Sequence, residues 1–205
     1  MSCRTILIVT SATVLTTAVA AAPISFAGTS VTLSLGTGVA ECELTWKRAS
    51  VVFKALIPGS GPTAFRLVDA TGTATIDLAS VGNPIALANS VYIRATTRGG
   101  FTLTDAAGHY VQVSNGDGSL TGDSTFTVQT TVDPAGTRMP VFNIAARPKI
   151  TPDVRSVVPP RVNLSLSDVR VSVQPEFANA VNEALGADSV EPGDALATCS
   201  GTATT

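Results

Sequence analysis

From residue 31 onward, apolar and polar positions alternate with a period of two in short runs separated by turn residues. Strand side chains point alternately to two faces, so this pattern predicts half-buried strands. Val31, Leu33 and Leu35 alternate with Thr32 and Ser34, and Gly36-Thr37-Gly38 ends the run. Glu43 to Trp46 continues past Cys42, and Ser50 to Ile57 stops at Pro58-Gly59-Ser60-Gly61-Pro62. Ala64 to Val68 and Thr73 to Leu78 flank Asp69-Ala70-Thr71-Gly72, read as a hairpin turn. Ser90 to Thr96 precedes Arg98-Gly99-Gly100. Phe101 to Leu103 and His109 to Val113 flank Asp105-Ala106-Ala107-Gly108, a second hairpin. Further strands follow at Ser124 to Val132, Val141 to Ala145 and Val162 to Val173. In the last of these the apolar phase changes across Asp168, which predicts a bulge or turn there.

One helix is expected. Pro175-Glu176 starts it, Phe177, Val181 and Leu185 recur on one face, and Gly186 stops it. Prolines 148, 152, 159 and 160 make residues 147–160 an extended crossover, because proline blocks central-strand pairing. The small polar tail, 201–205, is expected to fray. Short strands at sandwich-like spacing give the fold expectation: all-β, an antiparallel β-sandwich of Ig-like or jelly-roll-like type with one short C-terminal helix.

The N-terminus changes the compartment. Arg4 precedes a charge-free stretch from Thr5 to Ala22, and Ser25-Phe26-Ala27 before Gly28 fits a small-x-small cleavage site. Residues 1–27 therefore read as a cleaved signal peptide and 28–205 as one secreted domain, outside the cell or in the cell envelope, with no transmembrane helix. Export removes Cys3 and leaves Cys42 and Cys199, an even pair that reads as a disulfide.

Composition supports strands and excludes some partners. Charged residues are 14% of the chain, low for a soluble domain, while Thr and Val abound. The chain has 13 Lys+Arg and 15 Asp+Glu; loss of Arg4 leaves 12 against 15, a charge of −3. Such a surface does not attract nucleic acid.

Candidate chemistry is sparse. His109, the one histidine, has Asp105 nearby, but no Gly-x-Ser-x-Gly elbow accompanies them. Asn115, Asp117, Ser119 and Asp123 place oxygen ligands at alternate positions of a glycine-rich segment, like the first half of a calcium loop; the bidentate glutamate of an EF-hand is missing. Trp46, Tyr92 and Tyr110 are the large aromatics available for sugar stacking, and Trp46 reads as core. The acids form no obvious glycosidase pair and the glycines no phosphate loop. No cofactor is expected beyond calcium.

These features point to a non-enzymatic secreted or cell-surface protein with an envelope, adhesin or assembly role, partnered by other surface proteins or by itself. A secreted carrier of a small ligand or lipid is the first alternative. A membrane β-barrel or porin subunit is the second, weakened by the 5% aromatic content.

Overall fold

The computed structural model describes residues 25–27, 30–45, 50–77, 92–119, 123–144, 149–152, 162–186 and 190–204. The alternating runs form β1 (Ser25–Ala27), β2 (Ser30–Leu44), β3 (Val51–Ala55), β4 (Ala64–Asp77), β5 (Tyr92–Asp105), β6 (Tyr110–Ser119), β7 (Asp123–Thr130), β8 (Thr137–Ile144), β9 (Lys149–Pro152), β10 (Val162–Val173) and β11 (Ala195–Thr204). A helix, α1 (Pro175–Leu185), lies between β10 and β11. All pairings are antiparallel. The hydrogen-bonded path β2-β4-β5-β6-β7-β8-β10-β11 returns to β2, so the sheet closes into an eight-stranded up-and-down barrel.

The all-β class and the short helix agree with the sequence; the sandwich does not. The reason lies in three residues. Asp69, Asn115 and Asp168 adopt left-handed backbone, with φ of 52°, 52° and 53°. Asp and Asn tolerate that conformation, which is why they also populate turns. Here each sits at a register shift inside a continuous strand. The expected hairpin at Asp69 to Gly72 is therefore a bulge within the 14-residue β4. Likewise Arg98-Gly99-Gly100 lies within β5 rather than ending it. Bulges bend and coil a strand, and long coiled strands close on themselves instead of stacking as two sheets. The bulge expected at Asp168 and the hairpin at Asp105 to Gly108 are both present.

Two staves of the barrel are composite. β4 faces Tyr92 to Gly99 of β5, while β3 takes up the same edge from Phe101 to Asp105. The change of partner falls at Gly99 and Gly100, with φ of 107° and 135°. A Cβ there would lie 2.1 Å from the Arg66 carbonyl oxygen and 2.0 Å from that of Val113, so only glycine fits. β8 and β9 similarly share one edge of β10.

The lower end carries the Asp105–His109 turn and α1. Its interior is solid. Phe53, Phe65 and Phe101 form a ring cluster with centroids 5.0–6.3 Å apart, and above this cluster Phe126 meets Phe142 edge-on at 4.9 Å. Each fully buried apolar side chain of this kind stabilises by about 1.5–3 kcal/mol. α1 seals this end, burying Phe177, Ala178, Val181 and Ala184, a face that includes two members of the predicted stripe. Gly186, at φ 99°, ends the helix as expected. Asn182 holds the following chain by bonding both backbone groups of Val190, at 2.9 and 3.0 Å.

Other sequence expectations fare differently. The tail does not fray: Gly201 to Thr204 complete β11, paired to β10 on one side and in part to β2 on the other. Ladder bonds from two neighbours outweigh the weak propensity of small residues. Within the proline-rich segment, Lys149–Pro152 form β9; 147–148 and 153–160 lie outside the described residues. Residues 1–24 of the signal-peptide reading also lie outside them, as does Trp46. Ser25–Ala27, the last residues of that reading, form β1, a short edge strand beyond the ring paired with Ser30–Thr32 of β2. Among the described residues no helix is long and apolar enough to cross a membrane.

Candidate functional site

Inward positions in the lower half carry Phe, Leu and Val. In the upper half many of them carry Ala or Gly. Ala40, Ala70, Ala95, Gly118, Gly201 and Ala203 all line the interior there, and they leave space where the lower half has phenylalanine rings. The result is a cavity of about 160 Å³. Every stave of the ring contributes to it. Leu35, Ile93, Phe126, Phe142, Ile144, Leu164 and Val171 supply most of the larger side chains, so the lining is dominated by apolar atoms. The small residues lie in segments such as Arg94-Ala95-Thr96 and Thr202-Ala203-Thr204, whose flanking polar residues are exposed. The signal is thus present as alternation of polar residues with very small ones, in a run expected as a strand at Ser90 to Thr96 and in a tail expected to fray at 201–205.

Cys42 and Cys199 stand directly opposite each other on β2 and β11 and form a disulfide, as expected. Both border the cavity. The bond spans the seam where the first and last staves of the ring meet.

The candidate calcium ligands do not form a loop. Asn115, Asp117 and Ser119 run along β6, and Asp123 opens β7. A strand rises about 3.3 Å per residue, which puts Asn115 and Ser119 roughly 13 Å apart rather than around one ion. Asp117 is instead engaged by Arg94 Nε at 3.4 Å and Arg138 Nη2 at 3.8 Å. Arg138 also donates to the Asn115 carbonyl at 3.1 Å. Among the described residues no group of three or more His, Cys, Asp or Glu gathers as a metal set.

Asp105 and His109 do come together, with Oδ2 and Nδ1 2.9 Å apart. Asp105 also accepts from the backbone N–H groups of Ala107 and His109, both at 2.9 Å. The histidine bond, followed by these amides, holds its carboxyl below the usual carboxylate range. The set braces the lower hairpin, well away from the cavity.

Comparison with known protein families, with curated proteins and with solved structures found no match to this chain. Any functional reading therefore rests on the geometry of the barrel itself.

One further carboxylate is strongly perturbed. Glu41, on the outer face of β2, accepts from Ser60 Oγ, from Ser60 N at 2.9 Å and from Arg66 Nε at 3.0 Å. The Ser60 bonds chiefly, then Arg66, lower its pKa to about 2. It pins the Leu56–Thr63 connection against the barrel wall, where the isolated Pro58–Phe65 bridge also sits.

Proposed function

We propose that the protein is an exported, non-enzymatic carrier that holds a small apolar ligand inside the barrel. The observation that carries this reading is the cavity of about 160 Å³, lined mainly by apolar side chains from all eight staves. An apolar cavity of about 150 Å³ in a protein core stays dry and takes up benzene or xenon. This one suits a single ring or a short alkyl chain. α1 and the phenylalanine cluster close the lower end, so entry is from the upper end, where β2, β4, β5, β6 and β11 begin or finish.

The closed ring argues against the envelope-assembly role expected from a sandwich. Assembly by strand addition needs a free edge, and among the described residues the closed path leaves only the short outer edges of β1, β3 and β9. A porin role is opposed by the faces of the wall. Membrane barrels are apolar outside and polar inside. Here Thr32, Ser34, Thr71, Thr73, Arg94, Thr96 and Thr202 are exposed on the wall while Leu33, Leu35, Ile93 and Leu164 are buried. Export is supported by the disulfide, which persists in oxidising compartments.

The test is thermal melting of the disulfide-bonded protein with benzene or n-hexane as probe. A ligand at about 100 times its Kd adds about 2.7 kcal/mol and raises Tm by several degrees. Ala95→Phe, which fills the cavity, should abolish the shift. If neither probe moves Tm, and organic extraction of the native protein releases no apolar compound, the carrier reading fails.

A further inference from the structure

Outside the barrel, a second concavity of about 600 Å³ lies over β4, β5 and β6, within the size range of small-molecule sites. Its lining residues are polar or charged apart from Gly116, with threonine methyl groups and arginine stems among them. Among the described residues, two of the three non-glycine residues with left-handed backbone, Asp69 and Asn115, line it. Backbone strain of this kind persists where the surrounding structure enforces it, and bulges re-aim side chains. Here the two bulges bring a carboxylate and an amide to one place on the outer wall.

Among the lining residues the formal charges balance, and Arg94 beside Asp117 adds one positive charge at the rim. Asp69 and Asp117 are matched by Arg98 and Arg138. Arg98 donates both Nε and Nη2 to Asp69 Oδ2, while Arg138 reaches Asp117. These pairs fix the donors and acceptors in position. A guanidinium has five N–H donors, and the Asp69 pair engages two of those of Arg98. Thr96 and Thr71 add hydroxyls that meet at 3.1 Å. Each of these arginines is already paired to a carboxylate, so paired hydrogen-bonding groups rather than a free charge face the concavity. Dense, rigid donors and acceptors side by side match a ligand whose own groups both donate and accept.

We propose that this concavity binds a neutral saccharide, with Asp69 and Asp117 accepting from sugar hydroxyls, Asn115 both donating and accepting, and Arg98, Arg138 and Thr96 completing the set. Tyr92, 50% exposed and on the same face of β5, provides an aromatic surface toward the upper end of the strand. The concavity opens on the outer wall, and Thr97, Gly116 and Asp117 border both it and the interior cavity.

The experiment is a glycan array carrying neutral and acidic saccharides, probed with the disulfide-bonded protein, followed by calorimetry on the neutral mono- or disaccharide that binds. Arg98→Ala should weaken binding about tenfold or more, the usual scale for losing a charged hydrogen bond. Thr96→Val, nearly isosteric, should weaken it with an unchanged Tm, which separates loss of binding from loss of fold. Ala95→Phe, inside the barrel, should leave saccharide affinity unchanged while removing apolar binding. The proposal is overturned if no neutral saccharide binds, if only acidic glycans bind, or if Arg98→Ala and Thr96→Val both bind normally.

Discussion

Cys42 and Cys199 face each other across the barrel seam with Cα atoms 4.0 Å apart, although 157 residues separate them in sequence. Register and covalent chemistry agree at this point. The disulfide adds no new contact to the folded ring; it removes freedom from the unfolded chain. In the loop-entropy picture a closure of this length contributes about 5 kcal/mol, with 2–4 kcal/mol more typical in practice. The double variant Cys42→Ala/Cys199→Ala should therefore lower the urea midpoint substantially without altering the far-UV spectrum of the folded state. An unchanged midpoint would show that the seam ladder alone sets stability.

Glu41 predicts an acid-dependent step. Its folded pKa of about 2 lies below the ordinary 4.5, so its contribution is fully present above about pH 4.5 and is lost as pH falls toward 2. Glu41→Gln should flatten the fall of Tm across that window and leave Tm at pH 7 lower than that of the parent. Carbon-13 titration of the Glu41 carboxyl checks the pKa directly; a midpoint near 4.5 would refute the Ser60 and Arg66 arrangement.

Asp168 offers a test of the bulges. It is exposed, and its φ of 53° suits few side chains. Asp168→Val should destabilise by about 1–3 kcal/mol, because a branched side chain is strained in the left-handed region. Asp168→Gly should come within about 1 kcal/mol of the parent. Chemical denaturation of the two variants separates them; equal losses would mean that the bulge relaxes.

Leu164 is buried and lines the interior cavity. Leu164→Ala should cost about 2–5 kcal/mol and enlarge the space. Probe binding should then extend to a larger aromatic such as naphthalene. Retained stability would indicate that neighbouring side chains collapse into the gap.

Much of the fold was legible in the sequence and its closure was not. Strand alternation, the hairpin at Asp105, the helix from Pro175, the irregularity at Asp168 and the pairing of Cys42 with Cys199 all followed from local chemistry. The barrel was missed because Asp69 and Asn115 carry the same signature in a turn and in a bulge. Which one forms depends on whether the flanking runs pair with each other or with strands far along the chain. β4 pairs with β2 and β5, a choice no local pattern encodes. The cavity was missed for a related reason. Ala40, Ala70, Ala95 and Gly118 look like weak strand residues until four staves bring them to one level. The charged set on the outer wall was seen only in part. Asp117 stood out by spacing, but its partners Arg94 and Arg138 come from two other strands.

The seam also decides how the molecule bears mechanical load. β2 and β11 are antiparallel neighbours, so chain attached before β2 and after β11 leaves from the same end of the ring. Tension between those two attachments peels the strands apart one pair at a time. It opens Ala203 from Gly38, Thr202 from Val39, Gly201 from Ala40 and Ser200 from Glu41, along with the pairs that residues 30–41 make with β4 and residues 201–204 make with β10, and then meets the Cys42–Cys199 bond. Beyond that rung the force runs through sulfur, and the chain enclosed between the two cysteines feels none of it. Stretching the oxidised protein should give a short extension and a hard stop, while the reduced protein should pay out its whole length.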